Sequence, residues 1–118
     1  MKLERELMRG AGPTAVMQLL SGGEKYGYEL VEALARQSNG VLAMGQSTLY
    51  PLLYNLEAKG LVKSRVDETG PRPRRFYRLT SKGEKKLAAD TKQWHALVDA
   101  FKTLGVAPPS WPAPSGGA

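Results

Sequence analysis

The chain contains no cysteine, which excludes disulfide frameworks and thiolate metal sites. It contains one histidine, His95, so no histidine pair within one chain can hold a metal. No apolar stretch approaches the ~18 residues needed to span a bilayer; the longest patches, such as Ala15–Leu20, are far shorter. The opening Lys2-Leu3-Glu4-Arg5-Glu6 lacks the apolar core of a secretory signal. The expected location is therefore the cytoplasm, with no membrane partner. A phosphate-binding Gly-Lys-Ser/Thr motif is missing, and so is any cluster of carboxylates. Glu29 and Glu32 share a helix, but the sequence offers them no nucleophile. The expectation is a protein that is not an enzyme and takes no cofactor.

Acidic residues are the scarcer charge: 11 Asp and Glu stand against 17 Lys and Arg, for a net charge of +6. Hydrophobic residues make up 42% of the 118, too many for a disordered chain. The length suits one domain. A domain of this size buries only ~60–70% of its unfolded surface, which favours help from a second copy.

The positive charge is concentrated. Residues 1–45 balance to zero, whereas residues 46–80 hold seven basic groups against three acidic ones. The seven are Lys59, Lys63, Arg65, Arg72, Arg74, Arg75 and Arg78. A basic segment on a compact domain suits a polyanion, either nucleic acid or a membrane surface. Charge alone leaves open a merely soluble basic surface.

Apolar periodicity divides the chain into elements. Residues 2–9 form a short helix with Leu3 and Leu7 on one face. Gly10, Gly12 and Pro13 interrupt it, and a new helix follows from Pro13 to Leu20 with Val16, Met17, Leu19 and Leu20 as core. Tyr26–Ser38 is the next helix, with Leu30, Val31 and Leu34 as its buried stripe and Asn39-Gly40 as a left-handed stop. Gln46–Lys59 follows, with Leu49, Leu52, Leu53 and Leu56 inward. Pro51 is awkward there: either that helix starts nearer Ser47–Thr48 or it kinks. The period then changes to two short strands, Leu61–Val66 and Arg75–Leu79. Between them lies a turn rich in Gly, Pro and Arg over residues 67–74. Ser81 and Glu84 have capping-box spacing and open a long helix to Leu104. From Gly105 on, half the residues are Gly or Pro. That segment reads as a disordered tail, with Trp111 a solvated aromatic or one that docks.

Three helices, a hairpin and a last helix make the order of a winged helix-turn-helix with an added C-terminal helix. The fold class is mainly α with a small β-hairpin. Residues 1–80 form the winged-helix domain, 81–104 the dimerisation helix and 105–118 the tail. In that arrangement the third helix of the motif enters a major groove and the hairpin meets phosphates or the minor groove. The basic segment contains both elements.

Four stretches carry a family resemblance. They are Tyr26-Gly27-Tyr28-Glu29-Leu30, then Ser47-Thr48-Leu49-Tyr50-Pro51-Leu52-Leu53, then Leu56-Glu57-Ala58-Lys59-Gly60-Leu61-Val62, and last Arg74-Arg75-Phe76-Tyr77-Arg78-Leu79-Thr80-Ser81-Lys82-Gly83. In this order and spacing, over about residues 10–104, the sequence resembles the PadR-type transcriptional regulators. The single C-terminal helix looks like the family's short branch. The resemblance implies a dimer made through the last helix, and a repressor released by small, often aromatic, ligands. Pro71 and Pro73 depart from the family's glycine-rich wing tip, since they fix φ and remove two donors.

The residues expected to touch a pseudo-palindromic duplex are Gln46, Ser47, Thr48, Tyr50 and Tyr54 on the third helix. Gln can read adenine bidentately, and Ser and Thr can take base edges or phosphates. Capping is the other role open to Ser47 and Thr48. Tyr28 either reaches a phosphate or packs, and Tyr26 packs. Arg72, Arg74 and Arg75 are the wing candidates. Successive strand residues face opposite sides, so Arg74 and Arg75 cannot both face the duplex without a bulge. Arg78 is a structural ion-pair candidate, and Lys63 and Arg65 read as solvated charges.

On the last helix, Leu87, Trp94 and Phe101 repeat every seven residues, with Leu97 and Val98 beside them, so this is the expected dimer seam. Two Trp94 side chains meeting there would form an aromatic slot for a planar effector. The plainer role is dimer core. A different class of function stays open: a winged-helix module for protein partners that binds no DNA, suggested by the proline-stiffened tip.

Overall fold

Met8, Gly12, Val16, Met17 and Leu20 fall on one side of a helix and are all buried. That stripe keeps helix α1 continuous over Arg5–Leu20, through Gly10, Gly12 and Pro13, where two separate helices were expected. Gly12 has a packing reason: a Cβ there would lie 3.2 Å from Leu52 Cδ1. Pro13 forfeits only one helical bond, to the carbonyl of Arg9. Burial of the stripe outweighs that loss. The computed structural model describes residues 1–108 and 110. Most of the expected Pro/Gly-rich tail, including Trp111, lies outside the described residues.

Strand β1 (Lys25–Tyr26) leads into α2 (Gly27–Gln37). Glu29 Oε1 accepts a hydrogen bond from the Tyr26 N–H at 3.0 Å, fixing the start of α2. Asn39 and Gly40 take left-handed φ values of 52° and 82° and stop the chain as expected. Helix α3 covers Gln46–Ala58 and so begins at Gln46 despite Pro51. Pro51 has no N–H to offer the Ser47 carbonyl, and Ser47 is an exposed residue.

Strands β2 (Val62–Asp67) and β3 (Arg74–Leu79) pair without a bulge, from Val62 opposite Leu79 to Asp67 opposite Arg74. The sheet has three strands in the order β1-β3-β2, one more than the expected hairpin. Two residues of β1 are too few for a period to reveal. At the turn, Asp67 Oδ1 accepts from the Thr69 N–H at 2.9 Å and its hydroxyl at 2.6 Å.

Helix α4 covers Ser81–Leu104. Its cap is Thr80, not Ser81: Thr80 Oγ1 accepts from the Gly83 N–H at 3.0 Å. The Thr80 hydroxyl also bonds the carbonyls of Gly60 and Leu61, so the tertiary partner settled which residue caps. Gly83 lets α4 approach Leu61 closely, since a Cβ there would stand 2.1 Å from the Leu61 carbonyl oxygen. Val16, Met17, Leu30, Leu34, Leu49, Leu53, Val62 and Leu87 share one core beneath the sheet and helices. The architecture is a winged helix with an added C-terminal helix lying along α1.

Candidate nucleic-acid interface

The core fixes which side of α3 is outward. Leu49, Leu53 and Leu56 are buried, so Gln46, Ser47, Thr48, Tyr50, Tyr54 and Asn55 are left exposed. Gly45 stands at the N-cap and no side chain caps the helix. Neither Ser47 nor Thr48 therefore has the capping role open to it from sequence. Tyr50 is anchored on one side: a Cβ on Gly27 would sit 2.7 Å from its Cε1 and Oη. Tyr54 is 73% exposed. Tyr28 is half exposed in the first turn of α2. Tyr26 packs, with its ring edge-on to Phe76 at 5.6 Å.

Strand alternation sorts the wing arginines. Val62, Ser64 and Val66 face the same way as Leu79, Tyr77 and Arg75, their partners on β3. Val62 and Tyr77 are buried on that face, which is the α3 side. Burial pushes the Tyr77 hydroxyl above its ordinary value. Arg75 lies on this face, and its Nη1 donates to Ser64 Oγ at 3.0 Å.

Arg74 lies on the other face. Its guanidinium sits 4.8 Å from the Tyr26 ring centroid and 5.5 Å from that of Phe76. Arg65 covers Phe76 at 4.8 Å and donates to both carboxylate oxygens of Glu24, at 2.6 and 2.9 Å. Arg65 is thus a structural clamp, where a solvated charge was expected. The bidentate hydrogen bond from Arg65 holds the Glu24 carboxyl below its ordinary value and raises Arg65 in turn. Arg72 stands exposed in the turn.

On α4 the expected seam divides. Leu87 is buried in its own chain's core and has no side chain left for a partner. Trp94 is half-buried, and its Nε1 donates to Thr14 Oγ1 of α1 at 3.3 Å. A groove of about 730 Å³ opens beside it, lined by Pro13, Thr14, Met17, Leu56, Leu61 and Trp94 among others. Val98 is half-buried, while Leu97 and Phe101 are more than a third exposed. His95 is half-buried beside a smaller groove of about 550 Å³ with Gln18, Ser21 and Lys92. Among the described residues no group of three His, Cys, Asp or Glu could hold a metal ion. No described helix is long and apolar enough to cross a membrane.

With this geometry in view, the transcriptional regulator PadR-like family model matches residues 16–89. The chain belongs to the PadR-like family. It is a family of transcriptional regulators and not of enzymes. A transcriptional regulator of Mycobacterium tuberculosis, Rv3488, is 34% identical over 94 residues, covering 80% of this chain and 85% of that protein. The crystal structure of a PadR family regulator from Eggerthella lenta is 38% identical, with a TM-score of 0.72, covering 84% of this chain and 81% of that one. Bacillus subtilis PadR, solved in complex with operator DNA, is 26% identical with a TM-score of 0.61, over 65% of this chain and 44% of that one. These likenesses agree with the resemblance seen in the sequence.

Several residues of this surface escaped sequence reading. Ser64 and Glu24 carried no periodic or motif signal of their own, and the quoted motif that contains Glu57 gave no sign of its bond to Ser64. Gly27 lay within a quoted motif, but its closeness to Tyr50 required coordinates.

Proposed function

We infer that this PadR-like regulator is a homodimeric repressor that binds a pseudo-palindromic duplex through α3 and the wing. The observation that carries it is the coincidence of exposure with charge. The polar side of α3 is exposed, and the positive charge lies on the wing that follows it: residues 59–80 hold seven basic groups against two acidic ones, while α3 itself carries only Glu57. The complex of Bacillus subtilis PadR with operator DNA supports it. In this reading Gln46, Ser47, Thr48, Tyr50 and Tyr54 enter the major groove, with Tyr28 reaching a phosphate from α2. Arg72 and Arg75 meet phosphates. Arg74, held on Tyr26 and Phe76, braces the wing.

Dimerisation through α4 is supported by the apolar side chains that the single chain leaves open. Leu97, Phe101 and Leu104 are 38%, 37% and 74% exposed, and Leu7 of α1 is 59% exposed. A small aromatic effector suits the groove that Trp94 lines together with Pro13 and Met17. Ligand there would bear on α1, α3 and α4 together and shift the population of binding-competent dimers.

The test is selection of bound sequences from a random duplex pool. An inverted repeat with half-sites about one helical turn apart (~34 Å) is the expected product. Gln46→Ala should relax preference at one position of each half-site. Enrichment of no sequence, by a protein that stays folded, would leave the alternative of a module for protein partners.

A further inference from the structure

We propose that Glu57 and Ser64 form a positioning relay that holds Arg75 for phosphate contact and ties the wing to the recognition helix. This rests on the DNA-binding reading above and adds residues to which that reading gives no role.

The relay begins at the edge of the sheet. Strand β2 is an outer strand, so its free side presents unpaired backbone groups. Glu57, in the last turns of α3, turns its carboxylate to this edge. Its Oε2 accepts from the Ser64 N–H at 3.1 Å and from the Ser64 hydroxyl at 2.7 Å. The Ser64 proton is thereby committed to Glu57. Its oxygen lone pairs are left to accept, and Arg75 Nη1 donates to them at 3.0 Å. The order carboxylate, hydroxyl, guanidinium is polarised in one direction, with a charge at each end, and each bond strengthens the next.

Three features make this a positioning device and not only an edge cap. A cap for the Ser64 N–H would require the carboxylate alone, whereas the hydroxyl extends the chain to Arg75. The hydroxyl takes one of five guanidinium N–H donors, leaving the fork able to meet phosphate oxygens. Ser64 and Arg75 lie on the α3 side of the sheet, on neighbouring strands and in diagonal register, because Arg75 is directly opposite Val66. Arg74, one residue away, has its guanidinium fixed by aromatic rings on the opposite face. Two successive arginines are thus anchored by two different chemistries, one by stacking and one by a hydrogen-bonded relay from the recognition helix. A fixed arginine loses less side-chain freedom when it meets phosphate.

The experiment is a double-mutant cycle on duplex affinity, using the full chain and the duplex recovered by selection. Wild type and Arg75→Ala are measured first. Binding by wild type that Arg75→Ala weakens establishes the contact on which the relay depends. Absence of wild-type binding overturns the DNA-binding reading and the relay with it. Ser64→Ala and Glu57→Gln are each expected to weaken wild-type binding about fivefold, the scale of one net hydrogen bond. In the Arg75→Ala background each should change affinity by less than about twofold. Ser64→Thr, which keeps the hydroxyl on a strand, should restore wild-type affinity. Equal losses with and without Arg75, or failure of Ser64→Thr where Ser64→Ala also fails, would reduce the pair to a structural edge cap. Circular dichroism melts of the same variants keep loss of fold separate from loss of positioning.

Discussion

The Tyr50 phenol lies so close to Gly27 that a methyl group there would stand 2.7 Å from the Tyr50 Cε1 and Oη. The start of α2 and the exposed side of the recognition helix are thus fitted together at one glycine. Tyr50 is 42% exposed, so its ring can swing away if displaced. Gly27→Ala should therefore leave the fold intact and move the ring. Duplex affinity should fall about tenfold, equivalent to ~1.4 kcal/mol. In a Tyr50→Ala background the same substitution should cost almost nothing. An undiminished affinity in Gly27→Ala would show that the ring's place is irrelevant to binding.

Gly83 makes the opposite kind of prediction. A Cβ there would be 2.1 Å from the Leu61 carbonyl oxygen, and that backbone atom has no side-chain freedom to yield. On helix propensity alone, alanine in α4 would stabilise by ~0.5–1 kcal/mol. The carbonyl reverses the sign, and Gly83→Ala should destabilise by ~1–3 kcal/mol. Chemical denaturation reads the result directly, and a more stable variant would mean that α4 stands off from Leu61.

How far these features were readable without coordinates depends on their range in the chain. The core faces of α2 and α3 followed from Leu30, Leu34, Leu49, Leu53 and Leu56, because their spacing is local and periodic. The opposite faces of Arg74 and Arg75 followed from strand alternation alone. The continuity of α1 through Pro13 was not readable, because it rests on tertiary burial of the stripe from Met8 to Leu20, which local breakers at Gly10, Gly12 and Pro13 conceal. The cap at Thr80 depends likewise on the carbonyls of Gly60 and Leu61. Leu87 and Trp94 share a seven-residue repeat, yet one fills the core and the other turns to Thr14. Periodicity names a helix face but not which partner covers it. The relay through Glu57, Ser64 and Arg75 joins residues on three elements, and no local pattern marks it.

Acid should loosen the wing at its base. The Glu24 carboxyl is held below its ordinary value, chiefly by the hydrogen bond from Arg65. A carboxyl with a lowered folded-state value stabilises fully above its unfolded value. That contribution is lost as pH falls through the lowered folded value. Asp67 is lowered in the same direction by its bonds from Thr69, so the turn should also lose stability as pH falls. A carboxyl-detected NMR titration should place the Glu24 inflection below that of an exposed glutamate. Arg65→Gln should return it to the ordinary range, and an unchanged inflection in that variant would remove the clamp.

The exposed apolar residues of α4 predict the assembly. Sedimentation should give twice the chain mass at micromolar concentration, with a melting temperature that rises with protein concentration. Phe101→Asp together with Leu97→Asp should yield a folded monomer with far weaker duplex binding. A monomeric wild type at those concentrations would deny α4 its proposed role.

Binding by a charged face is tested most directly by the salt dependence of duplex affinity, measured by fluorescence anisotropy for wild type and Arg75→Ala. The logarithm of the association constant should fall linearly with the logarithm of salt concentration for wild type. Arg75→Ala should bind more weakly and flatten the slope by about one. No binding at ~50 mM salt, or a slope that Arg75→Ala leaves unchanged, would contradict it.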